Sequence, residues 1–205
     1  METALKIAPG VALWRERFDR AAQTALLDEV LAQARFYRPV MPGSGMPFSV
    51  EETNFGALGW YSDRAGYRYV ATHPQTGAPW PAIPRLLLEL WDATIGYSAP
   101  PECCLVNLYR AGARMGLHQD RDEQATEAPV LSVSLGDDAL FRIGGTTRRG
   151  PTQSVKLSSG DVLSFGGPAR LAYHGIDRIV SGSSTLVPGG GRINLTLRRV
   201  TEGSK

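Results

Sequence analysis

Histidine and cysteine are scarce in this chain: 205 residues hold three of the first and two of the second. Cys103 and Cys104 are adjacent, a placement that rarely allows them to bridge each other. That argues against a disulfide framework and for a reducing, cytoplasmic setting, with both thiols packed as core. No apolar run approaches the roughly 18 residues needed to cross a bilayer, so no membrane partner is expected. The opening METALKIAPG lacks the basic-then-apolar order of a signal peptide. Neither sign of charge prevails, with 22 basic against 20 acidic residues and a net charge of +2. Such a balance permits contact with nucleic acid without demonstrating it. Internal repeats and low-complexity tracts are also missing.

What the chain does have is 23 glycines and 14 prolines, which favour short strands joined by tight turns over a helical bundle. Leu13, Phe18, Ala22, Leu26, Leu27, Val30 and Leu31 recur at helical spacing, which predicts a helical N-terminal part over 1–36. From 37 to 82 the texture turns to Gly, Pro and aromatics. No helix survives that many breakers, and a long irregular cover with short strands is expected. A second helix is predicted over 82–96, opened by Pro81 and Pro84. Beyond Pro101, CCLVNLYR, VLSVSLG, ALFRIGG, SVKLSSGDVLSFGG, ARLAYHGIDRIV and RINLTLRRV are β-prone runs divided by turn signals. The expectation is one α+β domain over 1–205, its jelly-roll (double-stranded β-helix) core in 101–200.

The chemistry is carried by His118 and Asp120, two residues apart and so on one side of an extended strand end, with His174 on a later β run. Two imidazoles and a carboxylate form the facial triad that holds non-haem Fe(II) and leaves positions open. Zn²⁺ suits the same ligands with water in its fourth position. RINLTLR then places Arg192, Asn194, Thr196 and Arg198 on one side of a strand and Ile193, Leu195 and Leu197 on the other. Two inward arginines would be buried without counter-charge unless an anion sits between the sheets. Arg198 can fork onto a carboxylate, and Asn107 and Tyr109 share one face just ahead of the H-x-D. A metal triad beside a dicarboxylate site points to a 2-oxoglutarate-dependent oxygenase.

Taken together, NFGALGWYSDRAGYRYV, HPQTGAPWPAIP, NLYRAGARMGLHQDRDE, VLSVSLG, FRIGG, GDVLSFGG, RLAYHGI and RINLTLR resemble the AlkB family of Fe(II)/2-oxoglutarate-dependent nucleic-acid demethylases. Within it the chain is similar to the founding bacterial DNA-repair member, from about Phe48 to Arg198. The resemblance implies that His118, Asp120 and His174 ligate Fe(II). It implies that Asn107, Tyr109, Arg192, Asn194 and Arg198 hold 2-oxoglutarate, with Arg198 on the distal carboxylate and Arg192 nearer the metal. Segment 37–82 would be a nucleotide-recognition lid. In it Trp60 would stack on the methylated base opposite His118, Tyr67 would line the cover, and Tyr69 would assist at the nucleic-acid backbone. Asp122 would contact the base and Arg148 would match a basic substrate-contacting position. The implied reaction uses O₂ to convert N1-methyladenine or N3-methylcytosine in DNA to the repaired base, with formaldehyde, succinate and CO₂ released. Single-stranded DNA is the favoured partner and a monomer the expected state.

Each substrate residue also has a plain structural reading: Trp60 and Tyr67 as satellite-core aromatics, Arg148 in a solvated turn, Asp122 as surface charge. His73 has no carboxylate partner at ligand spacing and reads as a loop residue. The chain departs from the resemblance at Glu52, where an apolar residue is typical, at Ala172, which replaces a bulkier aromatic, and at Phe165, where Trp is expected. Three other functions stay open: the same chemistry on RNA, particularly tRNA, a zinc hydrolase, and a non-catalytic jelly-roll binding module.

Overall fold

A computed structural model describes residues 3–202; residues 1–2 and 203–205, which the single-domain expectation includes, lie outside the described residues. Among the described residues, thirteen strands and two α-helices follow one another. Strands β1 (Leu5–Ala8) and β2 (Val11–Trp14) precede helix α1 (Arg20–Gln33). Then come β3 (Glu51–Gly56), β4 (Gly59–Asp63), β5 (Gly66–Val70) and helix α2 (Arg85–Thr94). The remainder is β6 (Cys103–Tyr109), β7 (Met115–His118), β8 (Val130–Gly136), β9 (Asp138–Gly144), β10 (Thr152–Leu157), β11 (Val162–Phe165), β12 (His174–Val180) and β13 (Arg192–Arg198).

A seven-stranded sheet runs β1-β2-β11-β8-β13-β6-β3, a four-stranded sheet runs β10-β9-β12-β7, and β4 and β5 form a separate hairpin. Every strand pairing is antiparallel. The two larger sheets are the layers of a jelly roll, as the sequence predicts. Between them lies one core, with Leu13, Leu163 and Phe165 from the large sheet against Phe141, Ile143, Leu157 and Ile176 from the small one. The outer face of the large sheet is the second core: Ile193, Leu195 and Leu197 pack against Leu26, Leu27 and Val30 of α1 and Leu87, Leu90 and Trp91 of α2. The period-2 alternation of RINLTLR therefore works as expected, with apolar residues under the helices and polar ones turned inward.

The N-terminal part differs from the expected helix over 1–36. Residues 11–14 form β2, paired with β11 from Val162↔Trp14 to Phe165↔Val11. Leu13, counted as a helical position, is fully buried between the sheets. The chain reverses at Glu16, whose φ of +47° ends the strand, and α1 begins only after Asp19, whose side chain accepts from the Ala22 amide at 2.8 Å. An available edge strand outcompetes a helical pattern assembled from residues on both sides of a turn. The segment 37–82 carries the short strands expected of it, and the first, Glu51–Gly56, pairs along β6 as the edge of the large sheet.

The β4–β5 hairpin is fixed over that edge by side chains. Asn54 on β3 accepts from the Trp60 amide at 3.0 Å and donates to the Trp60 carbonyl at 2.9 Å. Trp80 donates from Nε1 to Val70 at 2.9 Å and fills the space where a Cβ on Gly59 would stand, 2.4 Å from its ring. His73 is buried edge-on to Tyr37 and beside Trp80, so this loop histidine braces the hairpin. No helix among the described residues is long and apolar enough to cross a membrane.

Candidate metal and co-substrate site

His118 ends β7 and His174 begins β12, and the two are directly opposite across the ladder of the small sheet. Their rings lie 4.5 Å apart. Each Nδ1 donates to a backbone carbonyl two residues earlier, Gly116 for His118 and Ala172 for His174, both at 2.9 Å. Those bonds fix the tautomer and leave both Nε2 lone pairs free to ligate. Asp120, in the loop just after β7, brings Oδ1 to 3.7 Å from one Nε2 and 3.8 Å from the other. One donor atom from each of the three falls within a 4.8 Å span. Two imidazoles, His174 buried and His118 partly exposed, with one carboxylate suit a divalent transition metal with positions left open. Burial first, then the neighbouring His118, lowers the His174 pKa to about 4, so this ligand is neutral at neutral pH.

The second oxygen of Asp120 belongs to the protein. Arg198 reaches Oδ2 from Nε at 3.0 Å and from Nη2 at 2.9 Å. Burial opposes ionisation of Asp120, but Arg198 and the two imidazoles outweigh it and hold the carboxyl well below the usual range. Arg198 also lies 3.5 Å from Glu123, which accepts from Arg170 at 3.1 Å and from the Tyr69 hydroxyl. Arg170 donates in addition to the carbonyls of Asp120 (2.6 Å) and Ala128 (2.8 Å). A buried network of Arg198, Glu123 and Arg170 thus sets the backbone and the carboxylate of the metal loop. In the sequence Glu123 and Arg170 carry no such signal: one ends the charge run DRDE and the other sits in a turn.

Two expected roles change. Arg198, expected at the far carboxylate of 2-oxoglutarate, is beside the metal ligands instead. Arg192, expected near the metal, lies six residues along the same strand and is fully buried. Its Nη2 donates to Ser134 at 2.7 Å and to Asn194 at 3.0 Å, while Nε and Nη1 have no partner. Burial draws this guanidinium down to about 10, the mark of a cation without an adjacent counter-ion. Buried, unpartnered N–H donors on a cation fit an anionic group such as a carboxylate. The Oδ1 of Asn107 is likewise buried and unpaired. Tyr69 is the second change: its hydroxyl is spent on Glu123 inside the protein, so it is not presented to a nucleic-acid backbone.

A cavity of about 430 Å³ opens between the sheets beneath the hairpin. The triad, Asn107, Tyr109, Asn194 and Arg198 line its interior, while Trp60, Tyr67, Asp122 and Arg148 line the same space from the hairpin and loops. Trp60 stacks on Tyr67 with ring centroids 5.2 Å apart and donates from Nε1 to Asp122 at 2.9 Å. The hairpin and the metal loop are therefore tied across the cleft. Phe165 packs 4.7 Å from the His174 ring, and Ala172 contributes through the carbonyl that orients His174.

Comparison with known proteins agrees with this geometry. A family model described as the 2OG-Fe(II) oxygenase superfamily matches residues 10–198. The chain is 58% identical over 200 residues to an alpha-ketoglutarate-dependent dioxygenase AlkB homolog of Caulobacter vibrioides, covering 95% of this chain and 90% of the relative. It is 41% identical over 199 residues to the alpha-ketoglutarate-dependent dioxygenase AlkB of Escherichia coli K12, covering 94% and 91%. The solved structure of OsALKBH1 superimposes with a TM-score of 0.83 at 29% identity, over 96% of this chain and all of that one. A metal triad, an arginine-bearing strand beside it and identity across nearly the whole length agree: this chain belongs to the AlkB family of the 2OG-Fe(II) oxygenase superfamily.

Proposed function

We propose that the protein removes methyl groups oxidatively from N1-methyladenine and N3-methylcytosine in DNA, with single-stranded or flipped-out bases as the form that enters the cleft. The observation that carries this reading is the layout of one cavity. The triad and Asn194 line it, the guanidinium of Arg192 is buried against Asn194 with Nε and Nη1 unpartnered, and the aromatic pair Trp60–Tyr67 beside Asp122 stands at the hairpin. His118 and His174 would hold iron(II) through Nε2 and Asp120 through Oδ1. When bound, iron(II) with 2-oxoglutarate supplies the oxidation of an N-methyl group by O₂, with formaldehyde, succinate and CO₂ as the other products.

The residues of the chain do the rest by binding and orientation. Arg192 pairs with the distal carboxylate of 2-oxoglutarate, while Asn107, Tyr109 and Asn194 offer hydrogen bonds along its length. Arg198 takes up one oxygen of Asp120, so the other, near both Nε2 atoms, would be left to hold the metal. Trp60 stacks on the inserted base, which has to leave a duplex stack or come from a single strand to reach this depth. Arg148, at the mouth, suits a phosphate. Asp122 and the aromatic faces both favour a positively charged base.

The test is turnover of matched methylated DNA and RNA oligonucleotides, read as formaldehyde and succinate. Release that requires Fe(II), 2-oxoglutarate and the methylated DNA supports the proposal. Turnover of RNA alone overturns the DNA assignment, and product formation without oxygen or 2-oxoglutarate overturns the oxygenase mechanism in favour of hydrolysis.

A further inference from the structure

Four carboxylates line the cavity: Glu52, Asp120, Asp122 and Glu123. Three are committed. Asp120 is shared between the triad and Arg198, Asp122 accepts from Trp60, and Glu123 accepts from Arg170 and Tyr69. Among the described residues, Glu52 alone of the four has no side-chain hydrogen bond. It is 1% exposed, and its Oε2 is buried with no partner. The β3 ladder explains how it arrives there. Glu52 sits opposite Asn107, and Asn107 opposite Asn194, so the three form one inward row across the large sheet. Two residues on, Asn54 grips the backbone of Trp60. Glu52 therefore stands where the co-substrate row meets the hairpin that carries the stacking tryptophan.

We propose that Glu52 is a specificity-determining residue that faces the inserted base and selects cationic alkylated bases over neutral ones. The inference rests on the demethylase reading above. An unpaired carboxylate at this depth is costly when ionised. Consistent with that, burial raises its pKa to about 8, with Arg198 opposing, so the group is mainly neutral at pH 7. A dianionic co-substrate in the adjacent row also favours the neutral form. A cationic base changes the balance. The carboxyl loses its proton to solvent as the cation enters, and an ion pair forms in a site that excludes water. A neutral base offers no such gain and leaves the carboxyl protonated. Asp122 cannot fill this place, because it is exposed at the mouth and already accepts from Trp60.

The experiment compares oligonucleotides bearing N3-methylcytosine, a cation, with those bearing N3-methylthymine, its neutral counterpart. Anaerobic equilibrium binding in the presence of Fe(II) and 2-oxoglutarate is measured first, and kcat/KM second, for wild type, Glu52→Gln and Glu52→Leu. Gln keeps the size and neutrality of the protonated acid, so it preserves the fold, and Leu removes the polar group. Both variants are expected to lose about tenfold in affinity and kcat/KM on the cationic lesion while changing about twofold or less on the neutral one. Equal losses on the two lesions would overturn the proposal. So would a raised KM for 2-oxoglutarate with the cation-to-neutral ratio unchanged, which would make Glu52 part of the co-substrate row. Wild-type protein that binds and turns over neither lesion overturns the demethylase reading itself, an outcome distinct from both.

Discussion

Arg198 donates from Nε to one oxygen of Asp120 at 3.0 Å and holds Nη2 2.9 Å from the same oxygen, which leaves the other oxygen of that carboxylate near both imidazoles. The arginine therefore holds the carboxylate of the triad. Both side chains are almost completely buried, 7% and 5% exposed. A buried pair is a poor source of net stability while intact, yet losing one member leaves a buried charge uncompensated. Arg198→Ala is therefore expected to destabilise the metal-free protein by about 3–5 kcal/mol. Urea denaturation checks this, and a loss below about 1 kcal/mol would show that water replaces the guanidinium without penalty.

Arg192 carries the complementary expectation. Its Nε and Nη1 are buried without a partner, and in the proposed function they are assigned to the distal carboxylate of 2-oxoglutarate. Arg192→Ala should raise the KM for 2-oxoglutarate about a hundredfold, as for loss of charge-assisted hydrogen bonds, with the affinity for methylated DNA little changed. Arg192→Lys should recover only part, since an ammonium lacks the several donors of the guanidinium, one of which also holds Ser134 and Asn194. A larger KM effect from Arg198→Ala than from Arg192→Ala would reverse the assignment.

Trp60 has its indole N–H on Asp122 and its face on Tyr67. Trp60→Ala should weaken binding of the methylated oligonucleotide by about 1–3 kcal/mol, the range for one base–aromatic stack. Oxidation of 2-oxoglutarate without demethylation should persist, because the hydrogen bonds of Trp60 are with Asn54, Tyr37 and Asp122 and its ring stacks on Tyr67. Parallel loss of both activities would assign Trp60 to the scaffold.

Glu52 gives a pH dependence of stability with a definite sign. Burial, opposed by Arg198, lifts its pKa from 4.5 to about 8 in the folded protein. The native state then holds a proton that the unfolded chain releases, so stability from this group is complete below 4.5 and falls as pH rises to about 8. The slope in that window is at most about 1.4 kcal/mol per pH unit. Glu52→Gln has no proton to lose, so its stability should fall less steeply than that of wild type between pH 5 and 8. Parallel curves for the two proteins would place an ionised carboxylate in the folded state.

The sequence was most legible where a period coincides with a chemical type. RINLTLR alternates, so its polar side and its apolar side could be told apart, and H-x-D with a later histidine named the ligand set. Asn107, Tyr109, Asn194 and Arg198 all line the cavity. Illegible were the ends of the N-terminal helix, since whether VALW forms a strand depends on β11 waiting some 150 residues away in the chain. The buried partners Glu123 and Arg170 were equally hidden, because a charged residue in a turn reads as solvated until packing removes the water.

The amino-acid sequence by itself determined the ligand types, the inward row of β13 and the aromatic, glycine-rich segment over the cleft, because these follow from residue chemistry and strand period. Tertiary structure decided which arginine meets Asp120. Arg192 and Arg198 share a face and a side-chain type, so local pattern could not separate them. Only the return of the metal loop, pinned by Glu123 and Arg170, put Asp120 against Arg198 and left Arg192 with its donors free. The same folding pressed Glu52 inward from the sheet edge, where depth and the absence of a partner, neither of them a property of sequence, set its charge.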